Sequence, residues 1–181
     1  GTGDGGSIEI TTQRLDIQPR SFIDNSIFGS GTAGDIKITA QEININGAGF
    51  LEFQQRYRID VLEGNLQPGS RITGIFAGTG TSGTAGDIQI ETDNLNLTDG
   101  AIIFTPVFTS GNGGNINVTA AEINLDASAI QNGGGRDSTA DASLGNINLD
   151  SDRLIVTNGA TVINATFGNV TGGDINVISD T

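Results

Sequence analysis

The sequence feature that most constrains this fold is an internal repeat of 28 residues. Its first landmark is an isoleucine, whose copies are separated by 28, 52, 28, 31 and 28 residues. In five copies another aliphatic residue follows seven residues later. A period of this length is typical of solenoid proteins, in which each repeat forms one coil, or rung, of a stack. The isoleucines of the repeat are Ile8, Ile36, Ile88, Ile116, Ile147 and Ile175.

Short runs of alternating apolar and polar residues surround these landmarks and predict β-strands. Examples are the stretches 88–90 (Ile-Gln-Ile) and 95–97 (Leu-Asn-Leu), whose period of two is that of a strand with one buried face. We expect three strands of about three to five residues in each rung, joined by corners of Gly, Asn, Asp and Ser. The predicted fold class is therefore all-β: a parallel β-helix, right-handed as parallel crossovers are.

The long interval of 52 residues between Ile36 and Ile88 has two interpretations. It can hold two rungs of unequal length, or one rung and a loop of about 24 residues. The alternation of Ile59 and Val61 favours two rungs. So does the recurrence at 67–70 of the Gln-Pro-x-Ser sequence that forms a predicted turn at 18–21. We therefore predict a rung that opens at Ile59, and about seven rungs in a single domain over residues 1–181.

Phenylalanines recur eight residues before the next isoleucine, at Phe28, Phe108 and Phe167. This constant spacing predicts a column of aromatic rings inside the coil, because equivalent positions of successive rungs lie above one another. Phe53 and Phe76 break the spacing and are the less regular members of the predicted column.

The composition suits a narrow solenoid core. The chain has 28 glycines and 35% apolar residues, with no Trp, Met, Cys or His. We expect the glycines at corners that require a positive φ. The Gly- and Ser-rich stretch 131–143 replaces a phenylalanine of the repeat and predicts a mobile, protruding loop.

The net charge of −13 restricts the partners of this chain. Nucleic acids and anionic lipid surfaces require a basic face, so neither is expected as a partner. No apolar run reaches the length of a membrane span, and membrane insertion is not predicted.

The absence of His and Cys excludes catalytic triads and thiolate zinc sites that depend on them. Asp35, Asp87 and Asp174 share one column, in which carboxylates of adjacent rungs could perform glycoside chemistry. Each follows a corner glycine, so turn formation is the preferred interpretation. Outward asparagines are expected to form amide ladders along the stack. We predict no catalytic residue, cofactor or metal site, and calcium binding by the acidic columns stays open.

Three motifs carry a resemblance to a known family. They are A-G-D-I-x-I at Ala33 and Ala85, D-G-A or N-G-A at Asp99 and Asn158, and the stretch GIFAGTGTSGTAGDI at 74–88. The chain resembles the repeat region of filamentous-haemagglutinin-like exoproteins, and most of all the cyanobacterial type. The resemblance implies a large β-helical passenger that is exported by two-partner secretion and displayed on, or shed from, a bacterial cell surface. The amino-terminal secretion domain of that family is not in this sequence.

One patch departs from the acidic, small-residue composition. Arg56, Tyr57 and Arg58, with Arg71 further on, gather three of the eight basic residues and the only tyrosine. Arg and Tyr together suit contacts with a glycan or a cell-surface protein. The structural alternative is that these large side chains cover the core where a corner is shortened, and this interpretation is preferred.

The expected function is that of a non-enzymatic structural or adhesive segment of a surface-displayed or secreted exoprotein. We expect the segment to be a piece of a longer chain, with further rungs or end-to-end copies of itself as partners. A glycan-cleaving β-helix enzyme is the alternative from another class. An ice-binding β-helix is a third possibility, although its threonine column is interrupted at Glu91 and Asp150.

Overall fold

The computed structural model describes residues 1–47, 49 and 73–180. Every regular element in these residues is a β-strand, and the strands form two parallel sheets. The first sheet has the order β1-β3-β5-β7-β9-β11 and the second has the order β10-β8-β6-β4-β2. The strands are β1 (Ile8–Ile17), β2 (Phe22–Asp24), β3 (Ile36–Asn46), β4 (Gly74–Phe76), β5 (Ile88–Thr98), β6 (Ile102–Val107), β7 (Ile116–Asp126), β8 (Ala129–Gly134), β9 (Ile147–Thr157), β10 (Thr161–Thr166) and β11 (Ile175–Ser179).

The chain therefore passes alternately through the two sheets and forms a β-solenoid. Five strands of the second sheet define five rungs, and β11 opens a sixth. Neighbouring rungs are mostly 28 residues apart, as in the pairing of Ile8 with Ile36 and of Ile88 with Ile116. The predicted fold class is confirmed.

Each first-sheet strand from β1 to β9 merges two of the predicted short strands, whereas β11 has five residues. In β3 the inward residues are Ile36, Ile38 and Ala40, and then Ile43 and Ile45. The step of three between Ala40 and Ile43 breaks the alternation, so the strand turns a corner there without ending. The two alternating runs in the sequence therefore form one strand of 11 residues, in which the inward positions change from even to odd residue numbers.

The prediction of seven rungs is wrong, because β3 pairs directly with β5. The pairs run from Ile36 with Ile88 to Asn46 with Thr98, which leaves no place between these strands for a rung opening at Ile59. Ile59 itself lies outside the described residues. In the second sheet β4 pairs with β2 on one side and β6 on the other, so Gly74–Phe76 completes the rung that β3 opens.

The hydrophobic core is a column of aliphatic side chains between the two sheets. Ile36, Ile88, Ile116 and Ile147 are stacked in register and are fully buried. From the second sheet Ile75, Ile103 and Ile130 pack against the same cluster. The core can be this narrow because each side chain has equivalent side chains above and below it as well as a facing sheet.

The predicted phenylalanine column is not inside the coil. Phe28 is 51% exposed and Phe167 is 42% exposed, and Phe108 is only partly buried. Phe76 is partly buried against a separate small cluster of Ile102, Phe104 and Ala129, on the face of the second sheet away from the main core. Phe53 lies outside the described residues. The inward positions of the second sheet are held instead by aliphatic residues such as Ile75, Ile103 and Ile130, and by polar residues such as Asn132.

The predicted loop at 131–143 is also largely wrong. Its first four residues belong to β8, where Asn132, Gly133 and Gly134 pair with Thr105, Pro106 and Val107. Beyond the strand, Ser138 is 4% exposed, and its Oγ donates a hydrogen bond of 3.0 Å to the carbonyl oxygen of Val107. Residues 136, 137 and 139–141 are exposed. The extra residues therefore widen one corner and pack against the rung before it.

A column of glycines brings successive rungs together just before each first-sheet strand. A Cβ at Gly86 would overlap the carbonyl oxygen of Gly34, and one at Gly114 would overlap the carbonyl oxygen of Gly86. Gly145 and Gly173 repeat this arrangement. None of these glycines has a positive φ, so the expected reason for corner glycines does not apply here. Close approach of backbone to backbone is the requirement.

We therefore expect Gly114→Ala to destabilise the solenoid by about 1–3 kcal/mol or more, because the new methyl group must displace a neighbouring rung. Gly172→Ala is the matched control, since its Cβ would come no closer than 3.7 Å to another residue. Urea unfolding followed by circular dichroism measures both. Equal midpoints for the two variants would contradict the close-approach argument.

Candidate functional site

The predicted contact residues Arg56, Tyr57, Arg58 and Arg71 all lie outside the described residues. Their role in contacting a glycan or protein stays a prediction. The described chain stops near them at Gly49, which has a φ of 121°, and continues at Thr73, which is 1% exposed.

An open cleft lies at the corner where the described chain stops. Its volume is about 650 Å³, and it is lined by Pro19, Arg20, Gly47, Gly49 and Asp99. Three successive rungs form this cleft. Ile17 pairs with Ile45, and Asn46 pairs with Thr98. This register places Pro19, Gly47 and Asp99 at equivalent corner positions.

The cleft presents one cation and one anion on exposed turns. Arg20 has a φ of 68° and Asp99 has a φ of 52°, and the backbone N–H of Arg20 donates a hydrogen bond of 2.7 Å to Thr73 Oγ1. These turns hold a guanidinium donor and a carboxylate acceptor, which suits polar contacts with a ligand or protein. The sequence marked both positions as turns, but only the register brings them into one cleft.

The column of Asp35, Asp87 and Asp174 has a structural role. Asp35 Oδ1 accepts a hydrogen bond of 2.9 Å from the backbone N–H of Asp87. In turn, Asp87 Oδ1 accepts one of 2.7 Å from the backbone N–H of Asn115. In the following rungs, Asn115 Oδ1 accepts from the backbone N–H of Asn146, and Asn146 Oδ1 accepts from that of Asp174. The side chains of Asp35, Asp87, Asn115 and Asn146 therefore satisfy the backbone of the next rung. This role is structural, as expected, but it links successive rungs and is not local turn formation.

A polar column inside the second sheet was not predicted. Register aligns Asn25, Ala77, Thr105, Asn132 and Asn164. The side-chain amide of Asn25 donates to the carbonyl oxygens of Gly6 and Gly34, at 2.9 and 2.6 Å. Asn132 and Asn164 both donate to the carbonyl oxygen of Gly145, at 2.5 and 3.0 Å. These amides connect the second sheet to the glycine column across the coil. The isolated positions of these asparagines in the sequence do not predict that their amides lie inside the coil.

Outward side chains form ladders along the first sheet, as predicted. Asn96 donates to Asn44, and Asn44 donates to Asp16, each at 3.0 Å. A second ladder joins Asn176, Asn148 and Asn117 at 2.9 and 2.8 Å.

Ion pairs add to these ladders at the start of the stack. Arg14 contacts Asp16 at 2.8 Å and Glu42 of the next rung at 3.0 Å. The hydrogen bond from Arg14, with that from Asn44, holds the pKa of Asp16 below its ordinary value.

Neither a metal cluster nor a membrane-spanning helix occurs in the part of the chain that the structure describes. That part holds no group of three or more His, Cys, Asp or Glu residues placed to bind a metal ion. It also has no helix of the length and apolar character needed to cross a bilayer. In comparisons with known proteins, no family model, no curated protein and no solved structure matched this chain.

The role of the acidic column gives a testable distinction. Asp87→Ala removes the acceptor of the Asn115 backbone N–H and should lower the free energy of unfolding by about 1 kcal/mol. Asp87→Asn keeps an acceptor oxygen, as Asn115 itself does in the next rung, and should change stability by less than about 0.5 kcal/mol. Chemical unfolding of the two variants measures the difference. Equal losses would mean that the negative charge, and not the acceptor, matters at this position.

Proposed function

We propose that this chain is a non-enzymatic structural and adhesive segment of a large β-helical exoprotein. The observation that carries the proposal is the state of the core at β11. The inward columns of the stack have exposed apolar side chains on this strand, and such a surface can pack against a further rung or a second copy.

Two inward columns of the first sheet become exposed between β9 and β11. Ile147 and Leu149 are 0% and 1% exposed, whereas their partners on β11, Ile175 and Val177, are 41% and 46% exposed. The outer edge of β11 also presents backbone N–H and C=O groups that no described strand pairs. Apolar core and an open sheet edge together form a template for a further strand. Its occupants in this proposal are further rungs of a parent chain or a second copy.

The polar columns support a rod rather than a catalytic surface. The acids that could have formed a pair on adjacent rungs accept backbone hydrogen bonds from the next rung. The candidate ice-binding column is Thr11, Thr39, Glu91, Thr119, Asp150 and Ile178 in the observed register. It is not a continuous array of threonines.

The proposed location is the outside of a bacterial cell, in line with the resemblance to filamentous-haemagglutinin-like exoproteins. The net charge of −13 suits a long rod in solution, because lateral repulsion keeps stacks of strands apart. Antibody labelling of intact, unpermeabilised source cells tests the location.

We expect the isolated chain to associate end to end, so that the mass measured by light scattering rises with concentration above the monomer mass of 18.5 kDa. Val177→Lys should keep the protein monomeric, because a charge would then stand in the core column at the open edge. Ile178→Lys is the matched control. Ile178 is on the same strand but pairs with the outward Asp150, so this variant should associate like the unaltered chain.

A constant monomer mass for the unaltered chain would contradict the stacking proposal. So would equal association of the Val177→Lys and Ile178→Lys variants. Circular dichroism of each variant verifies that the solenoid is folded. We expect it to be, because Val177 and Ile178 lie on the terminal strand of the stack.

A further inference from the structure

Three phenylalanines, of which Phe28 and Phe167 are exposed and Phe108 is partly buried, form a regular column on the outside of the corner that follows the second sheet. Ile27 pairs with Thr79, Thr79 with Val107, and Val107 with Gly134, which also pairs with Thr166. The residue after each of these lies in the next position of the same column. That column reads Phe28, Gly80, Phe108, Gly135 and Phe167 from the first rung to the fifth.

Backbone hydrogen bonds confirm this alternation of Phe and Gly. The N–H of Gly80 donates to the carbonyl oxygen of Ile27 at 2.8 Å, and that of Phe108 donates to Thr79 at 3.0 Å. In the following rungs the N–H groups of Gly135 and Phe167 donate to Val107 and Gly134, at 2.8 and 3.1 Å. The spacing that the sequence showed is therefore a surface period of two rungs.

The glycine that follows Phe28 in the column gives the Phe28 ring room on the backbone of the neighbouring rung. A Cβ at Gly80 would lie 2.6 Å from Cδ1 of Phe28, so the Phe28 ring lies against the Gly80 backbone. Half of Phe28 still faces solvent, as does 42% of Phe167. These apolar surfaces lie on the side of the rod, away from the exposed apolar residues of the terminal strand β11.

The column presents separate aromatic surfaces and not a continuous patch. Strands of a sheet are about 4.8 Å apart, so rings on every second rung recur at about 9.6 Å. The residues that follow each ring are uncharged, being Gly29 and Ser30, Thr109 and Ser110, and Gly168 and Asn169. The exposed pair that follows Gly135, Arg136 and Asp137, carries one charge of each sign and no net charge. A ligand that fits must be extended, neutral and apolar on one face at the same period.

We propose that Phe28, Phe108 and Phe167 form a stacking platform for a neutral, linear, β-linked polysaccharide. The axial C–H groups of a sugar ring carry partial positive charge and meet the negative face of an aromatic ring favourably. In an extended β-1,4-linked chain alternate sugars are flipped, so the same ring face recurs every second sugar. That repeat is close in length to two rungs. The flanking hydroxyl and amide groups can hydrogen-bond the sugar hydroxyls.

Charge and area argue against other occupants. A second copy of this chain would bring another net charge of −13 alongside, and rings separated by glycine offer little of the roughly 1,000 Å² or more that a stable protein interface buries. The same net charge disfavours sulfated or uronic acid polymers. A neutral glycan meets neither obstacle.

This inference rests on the adhesive part of the proposed function and names its partner. Its failure is distinguishable from failure of the stacking proposal, because the phenylalanine column is on the side of the rod and Val177 is at its end. A chain that stacks but binds no glycan would overturn only the present inference.

The experiment measures binding of the folded chain to soluble β-1,4-linked glucan oligosaccharides of increasing length by isothermal titration calorimetry. We expect affinity to rise until the oligosaccharide spans the column, and Phe108→Ala to weaken binding to the long oligosaccharides by about fivefold to tenfold. The triple variant Phe28→Ala, Phe108→Ala and Phe167→Ala should lose detectable binding. Phe22→Ala is the matched control, because Phe22 is 45% exposed but lies on β2, outside the column, in an edge-to-face contact with Phe76.

Several results would overturn the proposal. They are no heat of binding with any of the oligosaccharides, an affinity independent of their length, or an equal loss in Phe22→Ala. Tighter binding of heparin than of the neutral glucan would do the same, and so would a light-scattering mass that falls to the monomer in the triple variant, which would assign the column to self-association. Circular dichroism verifies that each variant remains folded.

Discussion

Backbone contact between successive rungs is the constraint on which the rest of this structure depends. The corner glycines allow a carbonyl oxygen to lie where any larger residue would place its Cβ, and this fixes both the distance and the register between rungs. When the backbone of Gly86 packs against that of Gly34, Ile88 lies above Ile36 and Asn96 lies above Asn44. Core columns, amide ladders and surface columns are all consequences of that one register.

Because register is shared, one kind of interaction is repeated along the stack. Asp35, Asp87, Asn115 and Asn146 each accept the backbone N–H of the following rung. Single hydrogen bonds of this kind contribute only about 1 kcal/mol each. Their stabilising effect is local to a rung interface, so stability along the rod is a sum of nearest-neighbour terms. A structure of this type can be extended by adding rungs, which is the physical basis of the proposed structural role.

The sequence predicted the parts of the fold that depend on periodic spacing. Ile8, Ile36, Ile88, Ile116, Ile147 and Ile175 open strands of one sheet as expected, and the asparagine ladders follow from the same period. Spacing does not distinguish the inside of a coil from the outside, and for this reason Phe28, Phe108 and Phe167 were assigned to the wrong face. The rung predicted at Ile59 failed for another reason: a short alternating run does not by itself specify a strand partner, and β3 pairs directly with β5.

The candidate sites were less predictable than the fold. Arg20 and Asp99 are 79 positions apart in the sequence, and only the corner register brings them into one cleft. Similarly, Asn132 gives no signal of an interior role, because an inward amide is stabilised by a carbonyl group across the coil that the local sequence does not specify. Contacts between rungs can be read from the period, whereas contacts across a rung cannot.

The direct adjacency of β3 and β5 is the central claim, and disulfide trapping tests it most directly. The chain has no cysteine of its own, so Asn44→Cys and Asn96→Cys together introduce a single pair on neighbouring rungs. Strand neighbours about 4.8 Å apart are within the Cα separation that a disulfide spans, whereas pairs beyond about 7 Å are not. We predict a bridge under mild oxidation for this pair, and none for Asn44→Cys with Asn124→Cys, which are two rungs apart. A folded protein that forms no bridge between positions 44 and 96, or that forms one between positions 44 and 124, would contradict the register on which the whole account depends.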